Sequence, residues 1–304
     1  MDKSLFDKIK SIAGEENVAT DIKMSELTSF KVGGPAAAVV YPEGVEELKN
    51  LIKFFHEESV EYMVIGNGSN LLVSDKGYDG VLIKLPASLS TVNCEGDVIT
   101  ADAGAMLSTV CKCALSNSLT GLEFAYGIPG TVGGAMVMNA GAYGGEMKDV
   151  VEKVYAISSE GEEIVLSNSE MRFGYRTSAV SGDGFTVYRV VYRLSRDKAD
   201  EIKARMDDYT GRRISKQPLE YPSAGSTFKR PEGNFAGKLI MEAGLSGERV
   251  GGACVSPKHC GFIVNDKKAT ARDINELIKK VIEAVKASSG VELEPEVIRV
   301  GDFD

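Results

Sequence analysis

The stretch SAGSTFKRP, Ser223 to Pro231, sets two hydroxyls, Ser226 and Thr227, behind Gly225 and follows them with Lys229 and Arg230. In a chain whose formal net charge is -9, hydroxyls beside two cations suit an anionic ligand, because charged donors make the stronger bonds to carboxylate and phosphate. A lone Gly-Ser-Thr run more often forms a turn whose hydroxyl bonds its own backbone, so this loop needs partners before it counts as a site. A second stretch, SEMRFGYRTSAV, groups Arg172, Tyr175 and Arg176, fixed donors for the same anions, although most such triplets are solvated surface turns. The terminal VELEPEVIRV reads as a strand. Regular alternation then puts Glu292, Glu294, Glu296 and Ile298 on one face and Val291, Leu293, Val297 and Arg299 on the other. Carboxylates beside isoleucine are candidates for partial burial, a raised pKa or the ordering of a cation, while an edge strand kept soluble by glutamates has the same pattern.

Glycine supplies the other chemistry. Between Gly121 and Gly145, GLEFAYGIPGTVGGAMVMNAGAYGG holds eight of the chain's 33 glycines among small residues. Such a run permits positive φ and lets backbone N–H groups approach a ligand, which is how phosphates are cradled without formal positive charge. Gly127, Gly130, Gly133 and Gly134 give GxxGxxGG rather than GxGxxG, and neither GxxxxGKS nor GxxxxGKT occurs, so neither a Rossmann site nor a P-loop is supported. A second loop, IGNGSNLLVSD, offers Gly66, Gly68, Ser69 and Asn70, a cluster that alone is more often a turn. Two such loops, both without lysine, favour a dinucleotide held mainly by backbone amides.

The elements that must position these residues alternate in period. Helical spacing marks the N-terminal segment (Leu5, Phe6, Ile9, Ile12, Ala13) and GVEELKNLIKFFHEES, and strands are expected at YMVIG and GVLIKL. From about Leu85 to Arg196 short strands such as DVITADAG accompany one helix, MLSTVCKCALSNS. A third region opens with the helical DKADEIKARMDDYTGRR and closes with a helix striped by Ile274, Leu277, Ile278, Val281, Ile282 and Val285.

With 43% apolar and 26% charged residues the chain is of ordinary globular type, and its acidity argues against broad nucleic-acid binding. The N-terminus lacks the unbroken apolar core of a signal peptide, and no apolar run approaches the ~20 residues of a membrane span, so a cytoplasmic protein without membrane insertion is expected. Cys94, Cys111, Cys113, Cys254 and Cys260 contain no CxxC pair and read as reduced and mostly buried. With His56 and His259 the only histidines, no metal site is expected; Lys258, His259 and Asn265 in GGACVSPKHCGFIVN read as structural.

GNGSNLLVSD followed by GIPGTVGGAMVMNAGAYGGE resembles the flavin-binding segments of the UDP-N-acetylenolpyruvoylglucosamine reductase family of peptidoglycan precursor synthesis, and TSFKVGGPA looks like the opening of that family's flavin domain. The resemblance runs from about Thr28 to Gly301 in five separated motifs, in the family's order and without the insertion of one subclass, as in its shorter second type. It implies an α+β chain with the FAD-binding fold of the vanillyl-alcohol-oxidase type, in two α+β subdomains, plus a C-terminal α+β substrate domain. The implied divisions are 1–84, 85–196 and 197–290, with 291–304 returning to the first. FAD, held non-covalently, would meet Gly66, Asn67, Gly68, Ser69 and Asn70 in one loop and Gly127, Ile128, Pro129, Gly130, Gly133, Gly134, Asn139 and Gly141 in the other.

The family's F-x-YR-x-S motif carries a catalytic role to Arg176, with Tyr175 beside it in the substrate pocket. Ser226 matches the family's proton-donating serine, Lys216 a lysine near flavin and substrate, and Glu296 the catalytic glutamate of PEV, while Lys229 and Arg230 would face the nucleotide. The family pattern has arginine two positions after the glutamate; here Ile298 stands there, and Arg299 falls on the opposite face of a regular strand. The implied activity is NADPH-dependent reduction of UDP-N-acetylglucosamine enolpyruvate to UDP-N-acetylmuramate by a monomer. A flavin oxidase of the same broad fold is the competing enzyme. Several of those tether FAD through histidine or cysteine, which the glycine-rich segments lack. A nucleotide-sugar-binding module would explain the loops and cations but not Ser226 together with Glu296.

Overall fold

The computed structural model describes residues 3–303, and packing divides them into two compact units. The first comprises residues 3–20, 38–67 and 80–212, the second 21–37, 68–79 and 213–303. In the first, helix Val45–Glu57 presents Leu48, Leu51, Ile52 and Phe55, spaced at three and four residues so that one stripe is buried. They share a core with Ile9 and Ala13 of helix Lys3–Ala13 and with Val81 and Ile83. Those two valine and isoleucine side chains belong to a four-stranded sheet ordered Val18–Ala19, Ala36–Val40, Tyr78–Lys84, Tyr62–Ile65, in which the last two strands run parallel.

A five-stranded sheet of the same unit, ordered Glu163–Ser167, Val151–Ile157, Thr186–Arg193, Val98–Asp102, Val92–Glu95, is antiparallel throughout. Its core takes in Leu107, Val110, Cys111 and Ala114 of helix Leu107–Ser116, Val132, Ala135 and Met136 of the short helix Val132–Val137, and Ile202 and Met206 of helix Ala199–Lys216. Strand Thr186–Arg193 is buried on both faces apart from its two arginines, which is why it reads as a nearly continuous apolar run.

The second unit packs helix Ala271–Ser289 on the antiparallel strands Arg249–Val250, Ala253–Val255 and Ile263–Asn265. Ile274, Leu277, Ile278, Val281 and Val285 are its buried stripe. Thr270 starts the helix in a reciprocal capping box with Asp273, and Gly290, at φ 73°, ends it. Asp75 accepts from the Ala271 and Arg272 N–H groups at 2.8 and 2.9 Å, placing a carboxylate where the helix dipole favours it.

The terminal run departs from the expected strand. Only Ile298–Val300 pairs, parallel to Leu71–Val73, while Pro295 makes a single antiparallel bridge to Phe228. Proline has no N–H to give a ladder, yet the alternation of side chains survives it as far as Ile298: Leu293 and Val297 are buried and Val291 half-buried on one side, while Glu292, Glu294 and Ile298 are exposed and Glu296 half-buried on the other. The expected two-face grouping fails at Arg299, which is exposed rather than buried with Leu293 and Val297 and donates to Asn275 Oδ1 at 3.4 Å. All five cysteines are free, three of them buried and Cys94 and Cys113 half-buried. Among the described residues no helix is long and apolar enough to cross a membrane, and no cluster of three metal-ligating side chains occurs.

Candidate active site

In the first unit the two glycine loops lie against each other. The Asn67 side-chain amide donates to Pro129 O at 2.8 Å, and a Cβ on Gly66 would come within 2.2 Å of Thr131 Oγ1, so only glycine allows that approach. The Lys84 ammonium donates to Gly66 O at 2.8 Å, and burial pushes its pKa down. A cleft of about 310 Å³ opens beside the loops. Gly66, Thr131, Gly133 and Gly134 line one part; Tyr62, Val64, Leu85, Val137 and Val187 give apolar walls.

Gly133 and Gly134, both expected to meet FAD, line this cleft, and their N–H groups have partners within the protein. The N–H groups of Val132, Gly133 and Gly134 donate to Ala105 O, Ala103 O and Thr131 Oγ1. What Gly133 contributes is close packing, since its Cβ would lie 3.1 Å from that of Ala103. The segment Val180, Ser181 and Gly184–Val187 also lines the cleft. No motif marked it; the two glycines of SGDGF are the only local signal.

Beyond the cleft, in the same unit, Arg176 sits at φ 55°, a left-handed conformation that a non-glycine residue adopts only when held. Its turn is closed by the Gly174 N–H to Thr177 O and fixed by Asn139, whose amide donates to Gly174 O at 3.0 Å and to Glu146 at 2.9 Å. Asn139 Oδ1 accepts from the Lys148 N–H, so its buried side chain ties the turn to the following segment. The Arg176 guanidinium donates to Gly141 O at 3.4 Å and lies 5.3 Å from the Tyr175 ring, which is 49% exposed. Arg172 is turned away to Asp183. Glu146, hydrogen-bonded by Lys148 and near Arg176, has its pKa held below the usual carboxylate value.

The remaining predicted residues fall in the second unit, including Gly68, Ser69 and Asn70 of the first loop. Gly68, at φ 59°, would place a Cβ 2.2 Å from Leu27 O. The Asn70 amide donates to Glu296 O at 3.1 Å, and Asn70 O accepts from the Ile298 N–H at 2.9 Å. Ser226 and Glu296 are drawn together by a short antiparallel ladder: the Glu296 N–H donates to Thr227 O and the Lys229 N–H to Glu294 O, both at 2.8 Å. Thr227, fully buried, anchors it, its Oγ1 accepting from the Ile263 N–H at 3.0 Å while its own N–H reaches Gly261 O. Ser226 stands exposed beside this anchor.

Lys229 pairs with Glu294, and the Arg230 guanidinium lies over the Phe235 ring at 4.1 Å, so both predicted nucleotide contacts already have protein partners. Lys216 is exposed at the end of its helix, whose Ile214 carbonyl accepts from Lys258 at 2.9 Å. His259 Nδ1 accepts from the Gly261 N–H at 3.2 Å, and burial lowers its pKa, in keeping with a structural role.

Known proteins match this chain over nearly its whole length. A family model described as UDP-N-acetylenolpyruvoylglucosamine reductase, C-terminal domain, matches residues 217–300, all within the second unit; one described as FAD binding domain matches residues 36–167. A UDP-N-acetylenolpyruvoylglucosamine reductase of Caldanaerobacter subterraneus subsp. tengcongensis is 50% identical over 302 residues, covering 99% of this chain and 100% of the relative. The chain belongs to the UDP-N-acetylenolpyruvoylglucosamine reductase family. The reductase of Clostridioides difficile is 48% identical over 300 residues, 99% of each chain. The crystal structure of the reductase from Thermus caldophilus matches with a TM-score of 0.82 at 38% identity, covering 93% of this chain and all of that one. Beyond the reductase family, Phl p 4.0202, a glucose dehydrogenase, shares the fold alone, at a TM-score of 0.51 and 14% identity over 65% of this chain and 45% of that one.

The fold is thus the α+β FAD-binding fold of the vanillyl-alcohol-oxidase type with the reductases' C-terminal domain, and the cofactor is FAD. The residues present fit such a group. The cleft lies at the lower end of the ~300–1,000 Å³ usual for ligand sites, with apolar walls and the hydroxyls of Thr131 and Ser181 at its edge.

Proposed function

We propose that this chain reduces UDP-N-acetylglucosamine enolpyruvate to UDP-N-acetylmuramate at the expense of NADPH, as a cytoplasmic monomer in peptidoglycan precursor synthesis, with Arg176, Ser226 and Glu296 as its catalytic residues. The FAD would be held by the loop running from Gly66 through Asn67, Gly68 and Ser69 to Asn70, by Gly127, Ile128, Pro129 and Gly130, and by the walls of the cleft. Bound there, FAD would supply the hydride chemistry that links NADPH to the methylene carbon of the enolpyruvyl group, which no side chain supplies.

The protein's part is position, charge and one proton. Hydride addition at the methylene carbon leaves the ether-bearing carbon electron-rich, with charge moving into the adjoining carboxylate. Arg176 faces that developing charge with the planar, five-donor fork of its guanidinium. Ser226 gives its hydroxyl proton to the ether-bearing carbon. An ordinary hydroxyl is too weak an acid to do so unaided, so the step requires a strongly basic acceptor and a hydroxyl of fixed direction. Burial of Thr227 fixes the backbone that carries Ser226, and the exposure of Ser226 lets water restore its proton. Glu296 orders the site from the other side of the ladder, while Tyr175, Lys216, Lys229 and Arg230 contribute to substrate binding.

The observation that carries this reading is the 2.8 Å hydrogen bond from the Glu296 N–H to Thr227 O, which joins two motifs far apart in sequence. The test is the visible spectrum of the purified protein, followed by NADPH consumption with and without the enolpyruvyl nucleotide. A flavin spectrum and consumption that depends on the nucleotide are expected. A colourless protein that binds the nucleotide without oxidising NADPH would instead be a binding module.

A further inference from the structure

Arg176 is held by a hairpin that is itself clamped from one helix. Strands Gly141–Ala142 and Gly145–Glu146 form that hairpin; Gly141 O takes the guanidinium, and Tyr143, at φ 52° in its turn, projects outward with 39% of its surface exposed. A tyrosine so placed on a two-stranded ribbon would be mobile unless something fixes it, because isolated hairpins are marginal in water. Tyr209 of helix Ala199–Lys216 does so, its ring lying parallel to that of Tyr143 at 4.6 Å with 2° between the planes. Four residues earlier, on the same face of that helix, Arg205 pairs with the buried Glu123 at 2.9 Å. The next residue, Phe124, packs on Gly145 so closely that a Cβ there would lie 2.6 Å from its ring. The helix thus grips both sides of the hairpin.

We propose that Tyr209 is a positioning residue for Arg176: by stacking on Tyr143 it fixes the Gly141–Glu146 hairpin and with it the guanidinium. The proposal rests on the reading that Arg176 meets the substrate, and it assigns a task to an aromatic pair that the reaction does not otherwise use. An ordinary packing role would support the fold without favouring either half of the reaction. A positioning role acts where Arg176 acts, on turnover of the enolpyruvyl nucleotide.

The test is a double-mutant cycle in the FAD-loaded enzyme, with the two half-reactions followed separately. Tyr209→Ala should slow reoxidation by the enolpyruvyl nucleotide roughly tenfold, the order expected of a small displacement of a catalytic group, while reduction by NADPH stays nearly unchanged. Tyr209→Phe, which keeps the stack, should restore the rate, and Tyr143→Ala, made from the hairpin side, should reproduce the loss. Amide exchange across residues 141–146 should rise in both alanine variants. In an Arg176→Ala background, Tyr209→Ala should cost nothing further, since two residues acting through one interaction are not additive.

If Arg176→Ala slows reoxidation but Tyr209→Ala leaves it unchanged, multiplies the loss, or slows both half-reactions alike, the positioning role is wrong and the reading of Arg176 stands. If Arg176→Ala itself leaves reoxidation intact, the reading of the site fails first, whatever Tyr209 does.

Discussion

Gly66 and Thr227 both anchor loops that carry candidate site residues, yet they do so by opposite means. At Gly66 the essential feature is a missing side chain: a single added carbon would strike Thr131 Oγ1 at 2.2 Å. At Thr227 it is a present and wholly buried one, whose Oγ1 accepts from the Ile263 N–H and whose carbonyl holds Glu296. A cofactor cleft formed by two closely apposed loops needs room, and glycine provides it. A proton donor needs direction, and a buried neighbour in hydrogen-bonded contact with two other segments provides that. The difference separates residues whose replacement should abolish cofactor retention from residues whose replacement should affect only the substrate or only stability.

The sharpest break would come at Gly66. Gly66→Ala should yield protein that loses its FAD on gel filtration, with both half-reactions lost together; retention of the full flavin spectrum would mean that the loop contact is not what shapes the cleft. Next comes Glu296. Glu296→Gln should slow reoxidation by the enolpyruvyl nucleotide by about 10²-fold, the lower range for loss of a group acting at the reacting centre, and leave reduction by NADPH intact. Glu294→Gln, exposed and paired with Lys229, should leave both steps nearly unchanged. Stopped-flow absorbance separates the cases, and equal losses in the two variants would remove the special place given to Glu296.

Thr227→Val keeps the shape but leaves the Ile263 N–H without its acceptor in a buried place, so unfolding stability should fall by about 1–3 kcal/mol in denaturant titration. The adjacent Ser226→Ala, on an exposed residue, should leave stability unchanged. Were the two to shift together, the separation of anchor from donor would not hold.

The smallest effect is at His259. Burial lowers its folded pKa below the ordinary 6.5, so between those two values the unfolded chain binds more protons, and stability rises with pH through that window. Stability linked to His259 is therefore present above pH 6.5 and lost on acidification through the window. His259→Gln should flatten that part of the profile measured by thermal melting at stepped pH.

How far the sequence could be read follows the same division. The helices at Val45–Glu57 and Ala271–Ser289 were legible because apolar residues recur at three and four, and Gly290 and Thr270 mark the ends of the second. The glycine loops were legible from composition, although not the fact that the Val132 and Gly133 N–H groups are already occupied by Ala105 and Ala103, a long-range pairing that no local pattern encodes. In the terminal segment the alternation of side chains was legible, but not that pairing is confined to Ile298–Val300 and one bridge at Pro295, which has no N–H for a ladder. Nothing around Thr227 marks it as the anchor of its loop, since burial by segments remote in sequence leaves no trace in its neighbours. Lys229 and Arg230 were visible as cations, but their partners Glu294 and Phe235 were not.

The central claim, that Ser226 is the proton donor of the substrate half-reaction, is tested most directly by Ser226→Ala with both half-reactions followed by flavin absorbance. Reduction by NADPH should proceed at nearly the unmodified rate while reoxidation by the enolpyruvyl nucleotide slows by about 10²–10⁴-fold, the range for loss of a general acid. Equal slowing of the two half-reactions, or reoxidation at the unmodified rate, would contradict it.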